Sequence, residues 1–217
     1  MSRSGWRRSA IARVQGGPVS AAISARRSVR EFARLAVDND TIERLVALAC
    51  AAPAPHHSRP WRFAHVTSAD ARERLADAMA DAWRADLERE GESIHNIDKL
   101  LRRSGTQISA APALLLACLT LAESRPWPDE ARRLAERDMF VQSLGAALQN
   151  LLLAAADYGL AGYLKGAPLF CPQAVREALD LPLDWEPAFL VLLGYPDPSA
   201  APKPREKPPT HSFLLLR

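Results

Sequence analysis

Between Glu130 and Tyr158 the chain carries a helical pattern whose middle, Phe140 to Ala156, is apolar nearly all the way round. Small residues, Gly145, Ala146 and Ala147, sit inside it, and Gly159 ends it. An α-helix that is apolar on every side has to be covered on every side. In a chain of 217 residues that leaves two arrangements: a central position in one domain, or a face covered by a second subunit. No uninterrupted apolar run reaches the roughly 18 residues of a membrane span, so no membrane partner is expected.

The other elements are shorter and interleaved. Thr41 to Ala52 has Ile42, Leu45, Val46 and Leu48 at helical spacing behind the candidate cap Asp40, and Pro53 stops it. Trp61 to Thr67 alternates as a strand. Ala69 to Arg89 is amphipathic, with Leu75, Met79, Trp83 and Leu87 on one stripe, and a further helix is expected from Ser93 to Arg103. The run Ala113 to Leu121, between Pro112 and Glu123, reads as a buried central strand. A strand near Gly162 to Leu164, a helix from Pro172 to Leu179 and a strand from Phe189 to Leu193 complete the set. With no regular βαβ repeat, the expected class is α+β, helices flanking one sheet.

Composition narrows the function classes. The 28 basic and 25 acidic residues are intermixed, giving a net charge of +3. A nucleic-acid protein would gather its positive charge on one face, so none is expected as partner. Cys50, Cys118 and Cys171 stand apart, without a CxxC or a His-rich segment, so neither zinc nor a disulfide framework is indicated and a reducing, cytoplasmic setting is expected. Residues 1–20 hold four arginines and no acid and read as a flexible basic arm, although organelle transit peptides share that composition. Residues 196–217 form a Pro-rich arm ending in Phe213-Leu214-Leu215-Leu216. The globular domain would be 21–195.

Two stretches carry the chemistry. Ala25-Arg26-Arg27-Ser28-Val29-Arg30-Glu31-Phe32 puts three guanidinium groups and a hydroxyl into five consecutive residues. It is either a solvated basic turn or a cradle for phosphate, which arginine forks match bidentately. Pro53 to Trp61 has three prolines within eight residues and reads as a stiff loop, either plain surface or a ligand platform. Its neighbours His56 and His57 would point apart with no third ligand, so no metal is expected. Asp157, Asp184 and Glu186 sit at element ends and are read as structural. Gly-x-Ser-x-Gly, Walker and Gly-x-Gly-x-x-Gly motifs do not occur.

Together these stretches resemble the FMN-dependent nitroreductase superfamily. The motif Arg-x-Ser-x-Arg corresponds to Arg26 to Arg30, the Pro- and Trp-bounded loop to Pro53 to Trp61, and the Gly-Ala-Ala-x-Gln-Asn-Leu-Leu-Leu-Ala-Ala helix to Gly145 to Ala155. Ala54 to Phe63, Asp180 to Pro187 and Trp83 to Leu87 are most similar to one branch, the flavin domain of the bifunctional protein of coenzyme F-420 biosynthesis. The ligase half of that protein has no counterpart in this sequence.

The resemblance implies a mostly antiparallel sheet flanked by helices in an intertwined homodimer, with FMN at the subunit interface and the C-terminal arm wrapping the partner. Arg26 and Ser28 would meet the FMN phosphate, Arg27 would line the same pocket, and Arg30 would lie by the N1/O2 edge. Pro53, Ala54, Pro55 and His57 would come from the other subunit. Leu164, Lys165 and Gly166 match the loop facing N5/O4, where the branch tends to have Ser-Cys-Trp-Ile-Gly, and Lys165 would point to solvent or into the pocket. Lys203 or Arg205 would contact the phosphate. The implied reaction reduces the enolpyruvyl group of dehydro-F-420-0 with hydride from FMN N5. Candidates for proton donor or substrate carboxylate contact are His56, His57 and Arg59. Trp83, Arg84 and Asp86 would border the anionic deazaflavin, although Trp83 suits a core position equally. The alternatives are a general NAD(P)H-dependent nitroreductase or quinone reductase, or a non-enzymatic flavin- or nucleic-acid-binding protein.

Overall fold

A computed structural model describes residues 17–200, 209, 212–215 and 217. Its helices are α1 (Pro18–Ala25), α2 (Asn39–Ala49), α3 (Ala69–Arg89), α4 (Ile94–Ala110), α5 (Glu130–Asp157) and α6 (Pro172–Ala178). The strands β1 (Trp61–His65), β2 (Ala113–Leu119), β3 (Ala161–Lys165) and β4 (Glu186–Gly194) form one sheet in the order β1-β2-β4-β3, with every neighbouring pair antiparallel.

The apolar run of β2 sets the layers. All seven of its residues are buried. Because side chains alternate across a sheet, Ala113, Leu115, Ala117 and Leu119 pack with α2 and α5 on one face, whereas Leu114, Leu116 and Cys118 pack with α3, α4 and α6 on the other. The result is three layers with two cores. Burial pushes the Cys118 thiol up to about 12, so it stays neutral as a core residue should.

The long apolar helix is covered on one side of the single chain. Phe140, Leu144, Leu148, Leu151 and Leu152 of α5 are buried against the sheet, but Leu134, Met139 and Val141 remain exposed. Among the described residues α5 is also the one helix long and apolar enough to cross a membrane by length and composition, in contrast to the reading from uninterrupted runs. Its polar interruptions are too few to lower its average, and its buried face is committed to the sheet.

Several boundaries differ from the sequence expectation for identifiable reasons. The cap of α2 is Asp38, not Asp40: its carboxylate accepts from Thr41 N at 2.7 Å and Thr41 Oγ1 at 2.8 Å, which holds it below the usual carboxylate range. Helix α4 runs on past Arg103 to Ala110, because Ile108 continues the buried stripe of Ile97 and Leu101. Helix α1 crosses the expected arm boundary at residue 20, with Pro18 in its first turn. Replacing Leu151, fully buried in the core between α5 and the sheet, by alanine is expected to lower stability by about 2–5 kcal/mol in urea denaturation.

Candidate functional site

The basic stretch is fixed as an extra strand-like segment along the sheet edge. Ser28 pairs in parallel with Gly162 of β3, Val29 N donates to the Gly162 carbonyl at 3.3 Å, and Ala33 N donates to the Tyr195 carbonyl at 2.9 Å. Further along, Phe32 pairs with Pro196, and Asp197 N donates to the Glu31 carbonyl at 3.2 Å. Packing is close at both glycines: a Cβ on Gly162 would lie 2.5 Å from Leu152 Cδ2, so that side chain would have to move, and one on Gly194 would lie 2.7 Å from Pro112 Cγ and 3.0 Å from the Phe32 ring.

This anchoring divides the arginines. Arg27 turns back, donating to the carbonyls of Ser24 at 2.6 Å, Ala25 at 3.1 Å and Arg26 at 3.0 Å, where it satisfies the end of α1. Arg26 is half-buried and Ser28 exposed. The Arg30 guanidinium lies 4.2 Å from the centre of the Tyr163 ring, a cation–π contact.

Arg30 borders a cavity of about 680 Å³ between α3, α4 and the end of β3, within the size range of ligand sites. Of the expected residues, Arg30, Trp83, Asp86, Lys165 and Gly166 line it. Leu164 points to the opposite side of β3 and packs into the α5 core, and Arg84 is held by Asp98 at 3.1 Å. The α4 wall, with Arg103, Ser104 and Gln107, was not anticipated, nor were Tyr163 and Cys171. Leu100, Arg103, Ser104 and Gln107 share one helical face, a spacing that would have shown the wall had the helix been extended past Arg103.

Lys165 reaches into this cavity. Its Nζ donates to Ser104 Oγ at 2.5 Å and Gln107 Oε1 at 3.4 Å. Burial, and then the charge of Arg103, lower its pKa to about 8. Burial, and then the Asp86 carboxylate, push the Cys171 thiol up. Asp86 is ion-paired with Arg89.

The proline loop lies elsewhere in the chain. It makes one helical turn at Pro55–His57, in which His56 and His57 have φ of 55° and 60°, a left-handed conformation that non-glycine residues seldom adopt. Ser58 Oγ donates to the Pro55 carbonyl at 2.7 Å, the Arg125 guanidinium to His56 Nδ1 at 3.1 Å, and Arg59 N to Glu123 Oε2 at 3.3 Å. Ala54 packs against the α5 core, on the far side of the sheet from the α3–α4 cavity. Pro53, Ala54, Pro55, His56, His57 and Arg59 are absent from the cavity lining, as are Arg26, Arg27 and Ser28. Lys203 and Arg205 lie outside the described residues. No cluster of three metal-binding side chains is present among the described residues.

The family comparison agrees with this architecture. Residues 23–195 match the Nitroreductase family, so the chain belongs to it; members of that family are FMN-dependent oxidoreductases, and the chain is an enzyme of this class. It is 28% identical over 172 residues to 5,6-dimethylbenzimidazole synthase of Rhodospirillum rubrum, covering 79% of this chain and 78% of that protein. It is 27% identical over 185 residues to iodotyrosine deiodinase of Haliscomenobacter hydrossis, covering 79% and 76%. The structure superposes on a BluB-like flavoprotein from Clostridium difficile with a TM-score of 0.76 at 22% identity, covering 93% of this chain and 100% of that one.

The three thiols should differ in reactivity. Iodoacetamide at pH 8 is expected to label exposed Cys50 first, Cys171 more slowly, and Cys118 only after denaturation, as read by peptide mass spectrometry.

Proposed function

We propose that the chain binds FMN beside the Arg26 to Arg30 segment and reduces a small anionic conjugated substrate, the enolpyruvyl group of dehydro-F-420-0, to give F-420-0. The observation that supports this most is the donor set of that segment. Arg26 and Ser28 have no side-chain hydrogen bond or ion pair among the described residues, while Arg30, two residues beyond Ser28, stands at the mouth of the cavity. Such a set fits a phosphate at one end and a planar ring system at the other.

When bound, FMN supplies the hydride-transfer chemistry, and the protein supplies position and electrostatics. Arg26 and Ser28 hold the phosphate. Arg30 would set a cation beside the flavin ring system and so favour its reduced, more negatively charged form. Lys165 and Gly166 offer backbone at the reactive edge, and Trp83 and Asp86 border the substrate. Pro53, Ala54, Pro55 and His57 come from a second chain, because in their own chain they lie across the sheet. The exposed Leu134, Met139 and Val141 of α5 supply apolar surface for such a homodimer. His56, His57 and Arg59, arriving with that loop, are further groups that could contact a substrate carboxylate or donate a proton. Lys203 or Arg205 of the C-terminal arm completes the phosphate contacts.

The F-420 assignment rests on the segments Ala54 to Phe63 and Asp180 to Pro187 and on the cationic lining by Arg30, Arg103 and Lys165. A second reading, a general NAD(P)H-dependent nitroreductase or quinone reductase, is favoured by the aromatic lining of Trp83, Tyr163 and Phe170, which suits a neutral ring. The two are separated by mixing photoreduced protein anaerobically with dehydro-F-420-0 or with a nitroaromatic. Rapid reoxidation of the flavin by the first supports the proposal; a flavin that stays reduced with it, and is reoxidised by the second, overturns the F-420 reading.

The two arginines should separate in their effects. Arg26→Ala is expected to weaken FMN retention about ten- to hundredfold, the worth of a charge-assisted hydrogen bond. Arg30→Ala should slow flavin reduction more than it weakens retention, as measured by equilibrium dialysis and stopped-flow absorbance. Equal effects from both substitutions would refute this division.

A further inference from the structure

Lys165 is a half-buried cation whose partners are neutral. Its Nζ donates to a hydroxyl, Ser104 Oγ, and an amide oxygen, Gln107 Oε1. An ammonium has three N–H donors, so one remains. Among the described residues no carboxylate pairs with Lys165, with Arg103 beside it, or with Arg30 across the cavity. Of the two acids in the lining, Asp86 is taken by Arg89 and Glu90 stands at the exposed end of α3. A charge withdrawn from water without a counter-ion is costly to the protein. Such a site gains most when an anion enters it.

Resting on the reductase reading above, we propose that Lys165 is the specificity-determining residue that selects conjugated substrates bearing a carboxylate, by offering that carboxylate the ammonium donor left free by Ser104 and Gln107. The class of ligand follows from the surroundings. Trp83 and Tyr163 supply flat apolar walls for a conjugated ring or double bond, and Lys165 marks one end of the space between α4 and β3. Ser104 and Gln107 hold the lysine in place, acting as positioning residues.

The titration of Lys165 gives an independent readout. The charged or titratable groups around it are Asp86 and Glu90 from α3, Arg103 from α4, Arg30, Tyr163 and Cys171. The Cys171 thiol is pushed up by its burial and then by the Asp86 carboxylate. Lysine at about 8 is charged at pH 7 and largely neutral by pH 9.5.

The test compares 4-nitrobenzoate with its neutral isostere 4-nitrobenzamide by titration calorimetry on the flavin-loaded protein. The quantity read is the ratio of the two dissociation constants, with flavin content measured separately by absorbance. The unaltered protein is expected to prefer the carboxylate at pH 7, and Lys165→Met to lose that preference by about ten- to hundredfold, while Lys165→Arg retains most of it. In the unaltered protein the preference should fall between pH 7 and 9.5 as Lys165 loses its charge, so the proposal can be tested even if the methionine variant does not fold. An unchanged ratio in Lys165→Met, or a preference independent of pH, overturns the proposal. A colourless protein that takes up no FMN instead overturns the reductase reading on which it rests.

Discussion

The close approach of the Ser28-Val29 backbone to Gly162 is the constraint on which the site depends. The hydrogen bond there is ordinary, with Val29 N at 3.3 Å from the Gly162 carbonyl. What gives it leverage is the packing behind it, because Leu152 of α5 occupies the space that a side chain at position 162 would need. The central helix, the edge strand and the basic segment are therefore fixed against one another at a single contact. From that contact Arg27 is turned toward α1 and Arg30 toward the cavity, and Lys165 leaves the same strand three residues later. A shift of the basic segment by one residue would exchange the arginine that caps a helix with a neighbour, since successive residues of an extended chain face opposite ways.

The layered fold separates tasks in the same way. One face of the sheet carries α2, α5 and the proline loop, and the other carries α3, α4, α6 and the cavity. The basic segment runs along the sheet edge and turns Arg30 toward the cavity, whereas the proline loop packs on the α5 face. The buried stripe of α5 backs Gly162 through Leu152, while Leu134, Met139 and Val141 on its flanks stay exposed.

Much of this was legible in the sequence because it is local. The boundaries of α3 and the buried character of β2 follow from periodicity and from the residues that flank them. The basic stretch and the proline loop each allowed a plain surface reading, and it was their occurrence together with the Gly145 to Ala155 helix that gave them meaning. What failed were features decided by distant contacts. The helix expected over Ser93 to Arg103 continues through Ser104-Gly105-Thr106, a run poor in helix propensity; the burial of Ile108 carries it seven residues further and builds the wall that holds Lys165. The choice of Asp38 over Asp40 as cap, and the capture of Arg27 by the end of α1, each depend on geometry that spacing alone does not distinguish. Helix α1 itself had a signal, Pro18 at its start, hidden by the acid-poor composition around it.

The proposed flavin site takes residues from two chains. Analytical ultracentrifugation of the FMN-loaded protein, followed at the visible absorbance of the flavin, tests it most directly. The visible signal is expected to sediment with a species of two chains carrying one flavin per chain, and dissociation into single chains to release the flavin. Flavin sedimenting with single chains at full occupancy would contradict it.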